Sequence, residues 1–308
     1  MKILIELPTW MGDTVMTTPA IENLINYFNN PKITLLGSFA STELIKTHPN
    51  VDKVYVLEKN YANSYKTLRM LGDFDLFLSF RGSFRAKILK YFISAQKKYQ
   101  YNKNKYTNLH QVEKYNSFIN ESIDFKSSAG KLVLHEFKNN HKKDNKLLGI
   151  NPGASYGSAK RWYPEEFANL AAGLSSQFDI VIFGGPGEID IANDIEEYLK
   201  QKGLNNLQNL AGKTSIKELA TQIAKLDLFV TGDSGPMHLA AAFQIPTVSI
   251  FGPTNEIATS QWKNHKGIIV KKALECQPCL KRECPLKHHN CMKKIKASDV
   301  FEVIDQII

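Results

Sequence analysis

The sequence predicts an α/β protein made of two Rossmann-like, doubly wound halves facing a cleft, and three observations lead there. The chain has 308 residues, which at about 150 residues per domain favours two domains. Short apolar runs bounded by turn residues alternate with stretches of helical periodicity on both sides of the midpoint. Between the two alternations lies EFKNNHKKDNK, residues 136–146, with Phe137 as its one large apolar side chain. That stretch reads as a linker and gives domains at 1–140 and 147–308.

In the first half, residues 3–7 form an apolar run that ends at Pro8, Thr9 and Trp10 and reads as a strand. Met16, Ile21, Leu24, Ile25 and Phe28 then supply one apolar stripe of a helix. Residues 33–36, 54–57 and 76–80 read as further strands. After the linker, strands are expected at 147–151, 180–183, 226–231 and 247–251, with helices at Pro164–Leu174, 189–199 and 236–243. The proline at the first turn of the 164 helix is a starting signal. Strand-helix alternation implies parallel sheets wound by right-handed crossovers.

A composition of 43% hydrophobic and 22% charged residues excludes disordered, collagen-like and knottin-like classes. No apolar run reaches the ~18 residues of a membrane-spanning helix, and Glu6 interrupts the first apolar run before a signal-peptide core forms. A soluble cytoplasmic protein, peripheral to a membrane at most, is expected. The 39 basic and 30 acidic residues leave a net charge of +9. The excess is segregated: residues 81–150 carry 15 basic and 5 acidic side chains, residues 263–296 carry 10 and 2, and the remainder is net acidic. Such a field suits phosphates of a nucleic acid, a nucleotide or an anionic membrane, and charge alone does not choose among them.

In open parallel sheets ligands bind beyond the carboxyl ends of the strands. Three turns of the second half stand out there. NPGASYGSAKRWYP, residues 151–164, has small residues that let backbone approach an anion and Lys160 to place a cation on it. FGGPGE, residues 183–188, offers Glu188 to ribose hydroxyls. GDSGPMH, residues 232–238, opens a helix whose free amides at Ser234 and Gly235 suit a diphosphate, with His238 within reach and Asp233 available to sugar hydroxyls. Each has a plainer reading, as a flexible loop, a common glycine turn or an Asp helix cap. The spacing around Ser234 is not that of a G-x-S-x-G nucleophile elbow.

In the first half, Asp13 of PTWMGDTVMTTPA lies on the turn from first strand to first helix, where a carboxylate can take a proton from an attacking hydroxyl or simply cap the helix. Asp73 and Asp75 precede a strand and read as a turn rather than a metal pair. Cys276, Cys279, Cys284 and Cys291 fall within sixteen residues beside His288 and His289. Zinc, a disulfide and free thiols all fit that spacing.

Together, LPTWMGDTVMTTPAI, NPGASYGSAKRWYP, TGDSGPMHLAAA and FGPTN, in this order over most of the chain, resemble the ADP-heptose:lipopolysaccharide heptosyltransferases. The segment CQPCLKRECPLKHHNC is most similar to the heptosyltransferase II branch of that family. The resemblance implies an inverting, metal-independent GT-B glycosyltransferase without a cofactor. The N-terminal half would hold the lipopolysaccharide inner-core acceptor at the membrane surface, and the C-terminal half ADP-heptose. It further implies Asp13 as general base, Lys160 as the cation on the diphosphate, and donor contacts from Ser155, Glu188, Thr214, Asp233, Ser234, Gly235 and His238. A UDP-sugar transferase or epimerase is a competing reading of the same turns. A basic nucleic-acid-binding protein with a cysteine knuckle is another, and it leaves the three turns without a purpose.

Overall fold

The apolar run after Lys2 becomes β1 (Lys2–Glu6), buried from Ile3 onward. α1 (Met11–Tyr27) follows and contains Pro19, which cannot donate to the Val15 carbonyl. The Thr18 hydroxyl donates to that carbonyl instead, at 2.8 Å, so the helix runs on through the proline. Next come β2 (Lys32–Gly37), α2 (Phe39–Ile45), β3 (Val51–Val56), α3 (Tyr61–Met70), β4 (Phe74–Ser79), α4 (Phe84–Phe92), β5 (Ala95–Gln100) and α5 (Gln111–Ile123). The strands pair in parallel in the order β3-β2-β1-β4-β5.

The second alternation gives β6 (Lys146–Asn151), α6 (Pro164–Leu174), β7 (Phe178–Ile182), α7 (Ile189–Gln201), β8 (Leu207–Asn209) and α8 (Ile216–Ile223). It continues with β9 (Leu228–Gly232), α9 (Gly235–Ala242), β10 (Thr247–Ile250), α10 (Glu256–Thr259), β11 (Gly267–Val270), α11 (Asn290–Lys293) and α12 (Ala297–Ile304). All six strands are parallel, in the order β11-β10-β9-β6-β7-β8. This computed structural model describes residues 1–58, 60–137 and 145–307, without the side chains of 61–63 and 65. Most of the expected linker, 138–144, lies outside the described residues. The chain divides into Met1–Glu136 and Phe137–Ile308.

In each unit the central strands are buried along their length, as in β9, because helices cover both faces of a parallel sheet. A large core cluster lies in the second unit, where Trp162, Phe167, Leu170, Ile195 and Met292 pack on β6, β7, β9 and β10. Both expected sheets are present, and three strands join them that the apolar pattern did not reveal: β5, β8 and β11. Each is the outermost strand of its sheet. β5 reads AQKKYQ and β8 has three residues, because an edge strand needs little apolar cover and is blunted by charge or brevity. Asp73 and Asp75 lie at the amino end of β4, as expected of a turn. They accept hydrogen bonds from Ser94 Oγ at 2.6 Å and the Lys2 amide at 2.7 Å. No helix among the described residues is long and apolar enough to cross a membrane.

Candidate active site

At the carboxyl edge of the first sheet, β1 turns through Pro8, Thr9 and Trp10 into α1. Trp10 is the N-cap residue and caps nothing with its side chain. Asp13 sits two residues inside the helix, where the positive end of the helix dipole favours a carboxylate. The Tyr115 hydroxyl of α5 points at Asp13 Oδ1 over a long 3.5 Å. Tyr101 packs on Tyr115 with ring centroids 5.1 Å apart and accepts from the Gln111 amide at 3.2 Å. Burial pushes both tyrosine hydroxyls above their ordinary range, and the Asp13 charge adds to the effect. The phenols therefore stay protonated and act as donors, which leaves the carboxylate as the group of the three equipped to accept a proton.

Glu6, the last residue of β1, is fully buried. Ser79 Oγ donates to its Oε2, and Arg81 Nη1 donates to its Oε1 at 3.2 Å. Burial pushes the Glu6 pKa up, while Ser79 and Arg81 hold it back. The group fixes Arg81 at the start of the loop that follows β4. An acid inside an apolar strand had looked like a simple interruption; the signal available in the sequence was that a buried carboxylate needs a partner.

At the carboxyl edge of the second sheet, Lys160 Nζ donates to Asp233 Oδ2 at 2.6 Å and to the Asp233 carbonyl at 3.0 Å. Both side chains are largely buried. The ammonium also lies 4.9 Å from the centre of the Tyr156 ring, which the Arg282 guanidinium flanks at 5.3 Å. Ser234 is the N-cap residue of α9, yet its hydroxyl does not cap. It lies 2.9 Å from Thr231 Oγ1 and accepts from Asn151 Nδ2 at 3.4 Å. Gly235 begins the helix and His238 is buried one turn in. A helix start with its serine turned away, beside a lysine and an arginine, is suited to an anion.

Glu188 is nearly buried and caps its own turn, accepting from the Gly185 amide at 2.7 Å. A Cβ on Gly153 would lie 2.0 Å from the Glu188 carboxyl carbon, so glycine there is what allows this close approach. Ser155 is exposed and Thr214 half-buried. Hydrogen bonds of the described residues tie neither to the Lys160–Asp233 pair. Of the expected donor residues, Lys160, Asp233 and Ser234 thus gather around the start of α9, Ser155 shares the β6–α6 loop with Lys160, Glu188 packs on Gly153 of that loop, and Thr214 lies in the loop before α8.

The cysteine segment braces this site. Ala159 N donates to the Arg282 carbonyl at 3.0 Å, the Tyr156 hydroxyl to the Leu280 carbonyl at 2.9 Å. His289 Nε2 donates to the Ala159 carbonyl at 2.9 Å, which leaves its Nδ1 to accept from the Tyr163 hydroxyl at 3.2 Å. The four cysteines are free thiols, three half-buried and Cys291 buried. Burial, then the neighbouring Cys284, Cys276 and Cys279, push the Cys291 thiol up to about 11. Thr254 Oγ1 and Gln277 Oε1, in adjoining loops, are buried without a hydrogen-bond partner among the described residues. Spacing along the chain gave no sign that Tyr156, Arg282 and His289 serve one site, since they meet only through folding.

Residues 65–290 match the model of glycosyltransferase family 9 (heptosyltransferase). The chain belongs to this family. It is 43% identical to lipooligosaccharide heptosyltransferase 2 of Campylobacter jejuni subsp. jejuni serotype O:2, over 98% of this chain and 97% of that one. In structure it resembles E. coli ADP-heptose lps heptosyltransferase II, with a TM-score of 0.83 at 21% identity over 100% of this chain and 98% of the other. E. coli heptosyltransferase WaaC with ADP gives 0.79 at 18% identity, with both chains fully covered. The expected fold class, two parallel-sheet α/β domains of the GT-B heptosyltransferase type, is the one found.

One further polar cluster of this family 9 glycosyltransferase lies in its first unit. Glu22 Oε1 accepts from His48 Nε2 at 3.0 Å and from His135 Nε2 at 3.1 Å, a grouping whose ligand types suit a metal ion. His48 Nδ1, however, accepts from the Asn50 amide at 3.0 Å. That bond puts the neutral ring's proton on Nε2, the atom a metal would need bare. The three residues therefore fit a hydrogen-bonded node joining α1, the turn before β3 and the chain after α5. Burial would raise the Glu22 pKa, but the bonds from His48 and His135 outweigh it and hold the carboxyl low.

Proposed function

We propose that this glycosyltransferase moves heptose from ADP-heptose onto the heptose/Kdo inner core of lipopolysaccharide, by inversion and with no metal in the step. The unit before the linker takes the acceptor and the unit after it the donor. The observation that carries the reading is the Lys160–Asp233 pair, set at the start of α9 and flanked by Tyr156 and Arg282. A diphosphate entering there takes the ammonium from Asp233 and releases that carboxylate to sugar hydroxyls. Kinship with lipooligosaccharide heptosyltransferase 2, and a protein of like fold solved with ADP, support adenosine diphosphate over uridine diphosphate.

In the proposed reaction Asp13 takes the proton of an acceptor hydroxyl while that oxygen attacks the anomeric carbon from the face opposite ADP. An ordinary carboxylate, with a pKa near ~4, is a weak base for a sugar hydroxyl, so proton transfer runs together with bond formation. Negative charge grows on the leaving diphosphate and is met by Lys160, His238 and the first amides of α9. The basic excess of residues 81–150 faces a phosphorylated lipid acceptor at the cytoplasmic side of the inner membrane, not a nucleic acid.

The test combines donor choice with product. ADP is expected to protect the protein against thermal unfolding where UDP does not. Incubation with ADP-heptose and isolated inner core is expected to add one heptose by mass, with EDTA present. Equal protection by UDP, or an unaltered lipopolysaccharide core in cells lacking the protein, would overturn the assignment.

A further inference from the structure

α4 of the first unit presents an apolar face that its own domain leaves uncovered. Ala86 and Leu89 are buried against the sheet, whereas Phe84 is 77% exposed, Ile88 45%, Tyr91 82% and Phe92 58%. At about 100° per residue these four side chains fall within one stripe on the side opposite Ala86 and Leu89. Lys87 and Lys90 flank the stripe on one side and Arg85 on the other. Exposed apolar residues are ordinary when scattered, but four large ones contiguous on a nine-residue helix are not.

The charge around this face narrows its occupant. From Arg81 to Gln111 the chain carries eight basic residues, Arg81, Arg85, Lys87, Lys90, Lys97, Lys98, Lys103 and Lys105, and no acidic one. Lys97 and Lys98 belong to β5, the edge strand that directly follows α4. An apolar stripe with basic flanks matches a surface that is anionic outside and hydrocarbon beneath. A helix of nine residues is about 13 Å long, and one face of it falls far short of the ~800 Å² per partner of a stable protein interface.

We infer that α4 is an interfacial membrane anchor: Phe84, Ile88, Tyr91 and Phe92 enter the headgroup boundary of an anionic phospholipid bilayer, while Lys87 and Lys90 hold the lipid phosphates. This deepens the proposed acceptor reading, because a lipid-bound acceptor is met at that surface. It does not depend on it, since vesicle binding and sugar transfer are separate measurements.

The experiment is co-sedimentation of the full chain with vesicles of phosphatidylethanolamine and phosphatidylglycerol, and with vesicles of phosphatidylcholine alone. Binding is expected to the anionic vesicles and to fall with added salt. Phe84→Ser/Tyr91→Ser is expected to weaken it about tenfold or more, and Lys87→Gln and Lys90→Gln about fivefold each. Phe84 and Tyr91 are exposed, so their double variant is expected to keep the wild-type Tm and to glycosylate a detergent-free soluble acceptor at the wild-type rate. Vesicle binding unchanged in Phe84→Ser/Tyr91→Ser, or equal on both vesicle types, overturns the inference. So does a wild-type dimer on gel filtration that this double variant dissolves, because a second copy would then own the face. If vesicle binding behaves as expected and no heptose is transferred, the anchor stands and the acceptor assignment falls.

Discussion

The carboxyl edges of the two sheets are built from the same strand-turn-helix unit and arrive at opposite chemistry. After β1, the helix start carries an acid, Asp13, beside the hydroxyls of two buried tyrosines. After β9, the helix start carries small residues, with an acid, Asp233, already paired to Lys160. The first arrangement sets a carboxylate beside two phenols that burial keeps protonated, which suits a proton acceptor. The second sets a cation beside a helix start that its own serine does not cap, which suits a diphosphate. One scaffold thus presents either set of groups according to which side chains follow the strand.

The strongest way to break this contrast is Asp13→Ala. Loss of a general base is expected to cut turnover by about 10³-fold, with ADP affinity nearly unchanged. Turnover that survives removes Asp13 from the role. Lys160→Ala is expected to act in the other unit, reducing kcat/KM by about 10²-fold and weakening ADP in calorimetry. It also strands the buried Asp233 carboxylate, at a cost of about 3 kcal/mol in denaturant unfolding. The pair Lys160→Ala/Asp233→Asn sharpens the test: most of the stability is expected to return, and ADP binding is not.

A smaller effect is expected of Gly153→Ala. Its new Cβ would meet the Glu188 carboxyl at 2.0 Å, which costs about 1–3 kcal/mol of stability as overpacking, read as a lowered Tm. Smallest are two charge-neutralising changes within the first unit, and they carry opposite signs. The folded pKa of Glu6 is raised, so the folded chain holds its proton after the unfolded chain has released it, and stability falls as pH rises through that window. The folded pKa of Glu22 is lowered, so its contribution is complete above the unfolded value and lost as pH falls through the folded one. In Tm measured against pH, wild type is expected to lose ground to Glu6→Gln as pH rises above 4.5 and to Glu22→Gln as pH falls below it.

What the sequence showed about the fold was set by where water is excluded. Central strands such as β1, β6 and β9 are buried along most of their length and stand out as apolar runs. β5 and β8 lie at sheet edges and look like the loops around them, and β11, also at an edge, shows only the short apolar run GIIV. The site was legible in the same uneven way. Asp13, Lys160 and the start of α9 sit in turns whose residue types carry their chemistry locally. Glu6, Tyr115, Tyr156, Arg282 and His289 act through partners far along the chain, and no spacing rule connects Ala159 to His289.

Apolar periodicity, a property of neighbouring residues, was enough by itself to determine two parallel α/β units, and the likeness of four short motifs to a known family indicated the family to which the chain belongs. Only the tertiary structure decided that Lys160 is bound to Asp233, that Ser234 turns from its own helix toward Thr231, that the cysteine segment props the lysine loop, and that α4 keeps four large apolar side chains in water. The reason is physical: pairing and burial depend on what the rest of the chain brings to a side chain, and that is set by packing rather than by order along the sequence.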